Sequence, residues 1–140
     1  MMRRVVRALA IVFLGAATRL VAEDERVIAG EGAATSWLAI VDAGKYGESW
    51  DAAAAAFRAA ITRAQWEAAL DQTPRPLGKV LSRKLRSATF MTEVPKAPPG
   101  EYVVVEFDTS FENRPCSVER VTPMKENDGT WKVSGYYLVR

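Results

Sequence analysis

The period of the hydrophobic pattern changes halfway along the chain. From Glu25 to Ala43 the apolar residues Val27, Ala34, Trp37, Leu38 and Val41 recur at three- and four-residue spacing, which predicts an amphipathic helix. Gly44 follows, where a left-handed residue ends many helices. A second helical stretch places Tyr46, Trp50, Ala53, Ala54, Phe57 and Ile61 on one face, and the run Ala52 to Ala56 adds helix propensity. Thr62-Arg63-Ala64-Gln65 has the spacing of a capping box, in which the threonine side chain accepts the Gln65 N–H and the glutamine side chain reaches back. It predicts a third helix carrying Trp66, Ala69 and Leu70, which ends near Thr73 because Pro74 and Pro76 cannot continue it.

After Gly78 the period falls to two. Four strands are predicted, at about Lys84 to Glu93, Glu101 to Glu112, Cys116 to Lys125, and Thr130 to Val139. In the second, Val103, Val105, Phe107, Thr109 and Phe111 alternate with Tyr102, Val104, Glu106, Asp108 and Ser110, giving one apolar and one mixed face. Pro95, Pro98, Pro99 and Gly100 predict a loop, Glu112-Asn113-Arg114-Pro115 a turn, and Asn127-Asp128-Gly129 a hairpin. Connections this short favour an antiparallel meander. About three helices packed on a curved four-stranded sheet make the expected class α+β.

The N-terminus is a different kind of segment. Arg3, Arg4 and Arg7 precede the mostly apolar, uncharged run Ala8 to Ala17, and Glu23-Asp24-Glu25 restores polarity. Positive start, short apolar middle and small residues are the layout of a secretory signal peptide over residues 1–22, cleaved after Ala17 or Ala22. The apolar run is too short to span a bilayer, which takes roughly 20 residues, so no permanent membrane anchor is expected. The expected destination is the periplasm. Residues 23–140 then form a single domain, long enough for one core.

Cleavage after Ala22 also reverses the charge. Loss of Arg3, Arg4, Arg7 and Arg19 takes the 19 basic residues to 15 against 17 acidic ones, from +2 to −2. Nucleic-acid binding therefore loses its compositional support. The chain has no histidine and one cysteine, Cys116. An internal disulfide, imidazole metal ligands and histidine-activated nucleophiles are excluded together. No metal or other cofactor is expected. Cys116, near a strand start, reads as a small packing residue.

A set of motifs carries a resemblance. Trp37-Leu38, Val41-Asp42-Ala43-Gly44-Lys45-Tyr46 and Ser49-Trp50 come first, followed by Phe57, Trp66, Arg75-Pro76-Leu77-Gly78 and Ser82-Arg83. Gly100-Glu101-Tyr102 and Asp128-Gly129-Thr130-Trp131-Lys132-Val133-Ser134-Gly135-Tyr136-Tyr137 complete it. Together they resemble the domain-of-unknown-function family numbered 4019, uncharacterised exported bacterial proteins, across nearly all of the chain after the leader. The resemblance implies no activity. The order of helices and sheet is also similar to the cone-shaped nuclear-transport-factor-2-like or cystatin-like folds, a likeness of architecture alone.

Trp37, Tyr46 and Trp50 read either as core packing or as aromatic walls of a pocket mouth. Asp42 faces the negative end of its own helix, at a cost of about 0.3–1 kcal/mol unless offset. A local cap on the N–H groups of Gly44, Lys45 or Tyr46 is the favoured offset, and pairing with Arg75 or Arg83 across the fold is the other. Arg75, Lys79, Arg83, Lys84 and Arg86 form a basic run that reads as a defended strand edge or as an anion-binding surface. Glu106 and Asp108, near Tyr102, Tyr136 or Tyr137, would serve an acid–base enzyme only if buried. The expected function is non-catalytic binding of a small apolar or amphiphilic ligand. A homodimerisation or protein–protein module of the cell envelope and a carboxylate-based isomerase or lyase are the alternatives.

Overall fold

The computed structural model describes residues 14–139, with side chains from Asp24 onward. Arg3, Arg4 and Arg7, the basic start of the expected leader, lie outside the described residues. Helix α1 (Leu14–Asp42) runs through both candidate cleavage points, so the first helix is longer than the pattern from Glu25 predicts. Four short helices follow: α2 (Tyr46–Asp51), α3 (Ala55–Ala60), α4 (Arg63–Gln72) and the single turn α5 (Pro74–Leu77). The sheet comprises β1 (Val80–Met91), β2 (Tyr102–Phe111), β3 (Arg114–Lys125) and β4 (Trp131–Val139). It is an antiparallel meander in the order β1-β2-β3-β4, as the short connections predict. No described helix is long and apolar enough to cross a membrane.

Helix α1 lies across one face of the sheet and touches all four strands. Its Ala34, Trp37, Leu38 and Val41 meet Val103, Val105 and Phe107 of β2, Val121 of β3 and Val133 of β4 in the core. Helix α1 and β2 come close at Gly30, where a Cβ would stand 2.5 Å from the Val103 Cβ. Alanine is the better helix former by about 1 kcal/mol. Here Gly30→Ala should nonetheless destabilise the domain, by about 1–3 kcal/mol, because α1 must lift off β2. Chemical denaturation measures the change.

The predicted second helix is broken in two. Ala53 and Ala54 are fully buried, the Ala54 N–H donates to the Val133 carbonyl at 2.8 Å, and the Ala55 N–H donates to Glu126 at 2.9 Å. The small side chains let the backbone approach β4, and bonds to β4 and to the β3–β4 turn replace those a continuous helix would make. The capping box forms as expected, with Gln65 N–H to Thr62 Oγ1 at 3.2 Å and Thr62 N–H to Gln65 Oε1 at 3.0 Å.

Strand β1 begins four residues earlier than its pattern predicts. The backbone of Lys79 pairs with Glu112 in both directions, through Glu112 N–H to Lys79 O at 2.9 Å and Lys79 N–H to Glu112 Oε1 at 2.8 Å. That strap, with Asn113 N–H on the Leu77 carbonyl at 2.9 Å, fixes the Arg75–Lys79 segment against the β2–β3 turn. Cys116 is exposed on β3, contrary to the packing role expected of it. It stands on the strand face turned away from Ser117 and Glu119, which are buried.

Candidate functional site

Asp42, the last residue of α1, does not cap the next helix. Gly44 adopts a left-handed conformation (φ 74°), which lets the Gly44 and Lys45 N–H groups turn back onto the carbonyls of Val41 at 2.9 Å and Ile40 at 3.2 Å. Those two donors are thereby satisfied within the α1 terminus. The Asp42 carboxylate instead receives two hydrogen bonds from Arg83 of β1, at 2.6 and 3.0 Å. Of the two offsets open to the sequence, the pairing across the fold is the one that forms, with Arg83 as the partner.

Arg83 continues inward. Its Nε donates to Glu119 Oε1 of β3 at 2.8 Å, and Glu119 is 1% exposed. Thr109 donates to the same oxygen at 2.6 Å, and the Tyr136 hydroxyl donates to Glu119 Oε2 at 2.5 Å. One guanidinium thus bridges a half-exposed carboxylate to a buried one that holds two further donors. A buried ion pair persists when each charge keeps its hydrogen bonds, and here it does. Burial works against the Arg83 cation, but the bonds to Asp42 and Glu119 outweigh it and raise its pKa above the ordinary arginine value.

Burial, the Glu119 charge and the hydrogen bond to it push the Tyr136 phenol well above its ordinary value of 10.0. The rings of Trp37, at 5.7 Å, and Trp66, at 6.4 Å, back Tyr136. Below pH 10 both the folded and unfolded chain keep this proton, so the contribution to stability is fully present. Above pH 10 the unfolded chain loses it and the folded protein retains it, so stability falls by up to about 1.4 kcal/mol per pH unit. Tyr136→Phe should flatten that part of the alkaline decline in denaturation curves recorded from about pH 8 to about pH 11.

The network forms one side of a cleft of about 550 Å³. Glu119 and Tyr136 line its floor, while Asp42, Tyr46, Arg75, Lys79 and Glu112 stand around it. Val41, Pro74, Val80 and Phe111 supply apolar wall. The Arg75 guanidinium lies 5.9 Å from the centre of the Tyr46 ring and pairs with Asp71 at 3.0 Å. A second hollow of about 280 Å³, lined by Trp66, Leu70 and Leu138 among others, shares Pro74 and Tyr136 with the cleft.

Of the residues singled out by sequence, Asp42, Tyr46, Arg75 and Tyr136 line the cleft, and Arg83 stands behind its floor. Trp37 is in the core, its indole N–H on the Ser49 carbonyl at 2.8 Å. Trp50 is half-buried and bonds the Ile61 carbonyl at 2.8 Å. Tyr102 is buried at the far end of β2, its hydroxyl on the Pro98 carbonyl at 2.6 Å. None of these three lines the cleft. Glu106 and Asp108 are not a buried acid–base pair: they bond Arg120 at 3.1 Å and Arg86 at 3.4 Å, and Asp108 is exposed.

The basic run divides. Arg75 and Lys79 reach the cleft, Arg83 joins the buried network, and Lys84 and Arg86 line a different hollow, together with Arg114. Glu119 is the residue the sequence reading missed. Its signal was the β2–β3 turn, whose register sets Glu119 beside Phe107 and Ser117 beside Thr109, on the face β2 buries.

The chain belongs to the family described as Protein of unknown function (DUF4019), whose model matches residues 33–136. That span holds every residue of the network and the cleft. No curated protein and no solved structure matches the chain.

Proposed function

We propose that this is an exported binding domain that holds a small amphiphilic molecule in the cleft and does no chemistry on it. The observation that carries the reading is the division of the cleft between a fixed, hydrogen-bonded charged floor and an apolar wall. A site of a few hundred Å³ with a handful of rigid polar groups among apolar ones is the usual form of a small-molecule pocket. The non-catalytic part follows from the hydrogen bonds. Glu119 already accepts from Arg83, Thr109 and Tyr136, which leaves it ill placed to take a proton from a substrate. Tyr136, held protonated, is a fixed donor rather than a proton shuttle.

Native mass spectrometry of the protein purified from its own host tests the reading. A stoichiometric small molecule on the monomer is expected; an adduct-free dimer would instead favour the interaction module. The same spectrum tests export, which rests on Arg3, Arg4 and Arg7 ahead of the run Ala8 to Ala17. A chain beginning at Thr18 or Glu23 is the expected result, and one still beginning at Met1 in the cytosol contradicts it.

A further inference from the structure

The donors and acceptors around the cleft are unequally occupied, and from this we infer that its ligand carries an anionic headgroup, a carboxylate or a phosphate. The inference rests on the cleft being the ligand site. All three carboxylates that line it are already engaged. Asp42 holds two Arg83 N–H groups, Glu119 holds Arg83, Thr109 and Tyr136, and Glu112 holds the backbone N–H of Lys79. The donors are not matched in the same way. The Lys79 ammonium has no ion-pair partner among the described residues, and the Tyr46 hydroxyl makes no hydrogen bond to them. Arg75 is tied through one nitrogen to exposed Asp71 across the α4–α5 junction, a pair that solvent screens and that is worth at most about 1 kcal/mol. Its remaining N–H groups are available.

The backbone that carries these donors is held in place by the fold. Lys79 is strapped to Glu112 by two backbone-directed hydrogen bonds. Gly78, directly before it, has no room for a side chain, since a Cβ there would stand 2.9 Å from the Glu112 Cβ. The Arg75 guanidinium is set over the Tyr46 ring. A ligand that fills the cleft must therefore bring acceptors to Arg75, Lys79 and Tyr46 while its apolar part meets Val80 and Phe111. A positively charged headgroup would meet two cations, and of the three carboxylates only exposed Glu112 keeps an oxygen without a hydrogen bond. Charge-assisted hydrogen bonds to carboxylate or phosphate oxygen are the strong kind, and arginine suits either group.

The experiment is a titration of the whole folded protein with dodecanoate, dodecyl phosphate, dodecanol and dodecyltrimethylammonium, each below its micellar concentration, followed by tryptophan fluorescence and calorimetry. At least one of the two anions should bind about ten-fold or more tightly than dodecanol. Their ratio distinguishes a fatty-acid-type carboxylate from a phosphate headgroup. Arg75→Gln with Lys79→Gln should remove that advantage and leave dodecanol binding within about two-fold, because both side chains stand at the rim rather than in the core. Dodecanol or the ammonium compound binding as tightly as the anions overturns the anionic headgroup and leaves the cleft reading standing. An anion advantage that survives the double substitution also overturns it. Failure of all four probes to bind overturns both.

Discussion

Arg83→Met should destabilise the domain by about 3–5 kcal/mol, since it leaves the Glu119 carboxylate buried without its cation. Glu119 is 1% exposed and has no water-facing alternative, whereas Asp42, at the edge of the cleft, can turn to solvent. The loss is asymmetric for that reason. It should appear as a fall in melting temperature of roughly 10–20 °C. Adding Glu119→Gln should recover most of it, because the amide is uncharged and still offers an oxygen and an NH₂ group to Tyr136 and Thr109. If the single substitution costs less than about 1 kcal/mol, the network is a surface ion pair and the fixed floor of the cleft does not exist.

Ser49→Ala, the removal of one oxygen atom, should cost about 2–4 kcal/mol. Ser49 is fully buried, and three bonds converge on it. Its hydroxyl donates to the Tyr46 carbonyl at 2.6 Å and accepts the Trp66 indole N–H at 2.9 Å, while its carbonyl accepts the Trp37 indole N–H at 2.8 Å. Alanine strands the Trp66 N–H and loses the Tyr46 contact inside the junction of α1, α2 and α4. A double-mutant cycle with Trp66→Phe separates this from a cavity effect. With the N–H already gone, the serine oxygen should be worth less by about 1–2 kcal/mol. Strict additivity would show that the Ser49–Trp66 hydrogen bond contributes nothing.

The two substitutions concern different halves of one device. Ser49 ties α2 to α1 and α4, and α2 begins at Tyr46, which forms part of the cleft rim. Arg83 ties the end of α1 to β1 and β3 below that rim. Trp37 and Trp66 serve both, through their indole N–H groups on Ser49 and their rings against Tyr136.

Residue spacing made much of this architecture legible. The period of two places Val103, Val105, Phe107 and Phe111 on the buried face of β2, where they lie. Asp128-Gly129 makes the last hairpin, with Asp128 holding Thr130 at 2.9 Å through the backbone and 2.6 Å through the hydroxyl. Thr62 and Gln65 close the capping box. What failed was local inference where tertiary contacts decide. Propensity favours a continuous helix through Ala52 to Ala56, but the Val133 carbonyl takes the Ala54 N–H. A carboxylate at a helix terminus suggests a cap, but Gly44 satisfies the terminus without it and Asp42 turns to Arg83.

The candidate site shows the same division. Asp42, Tyr46, Arg75, Arg83 and Tyr136 stand out along the chain by type and neighbourhood. Glu119 does not, because Val118 and Val121 flank it on opposite faces of the strand and mask which face is buried. Only the β2–β3 register, which pairs Glu119 with Phe107, turns it inward. The cluster therefore becomes visible through strand pairing rather than through any motif.

The proposed ligand sits in the cleft between the end of α1, the start of α2, the α5 turn and the strands β1 to β4. Backbone amide NMR of the folded protein, titrated with dodecanoate and dodecyl phosphate in turn, tests it most directly. Shifts are expected at Asp42, Tyr46, Gly78, Val80, Phe111 and Tyr136, with the outer sheet face around Val104 and Val118 unmoved. Shifts confined to that outer face, or none with either probe at saturating concentration, would contradict it.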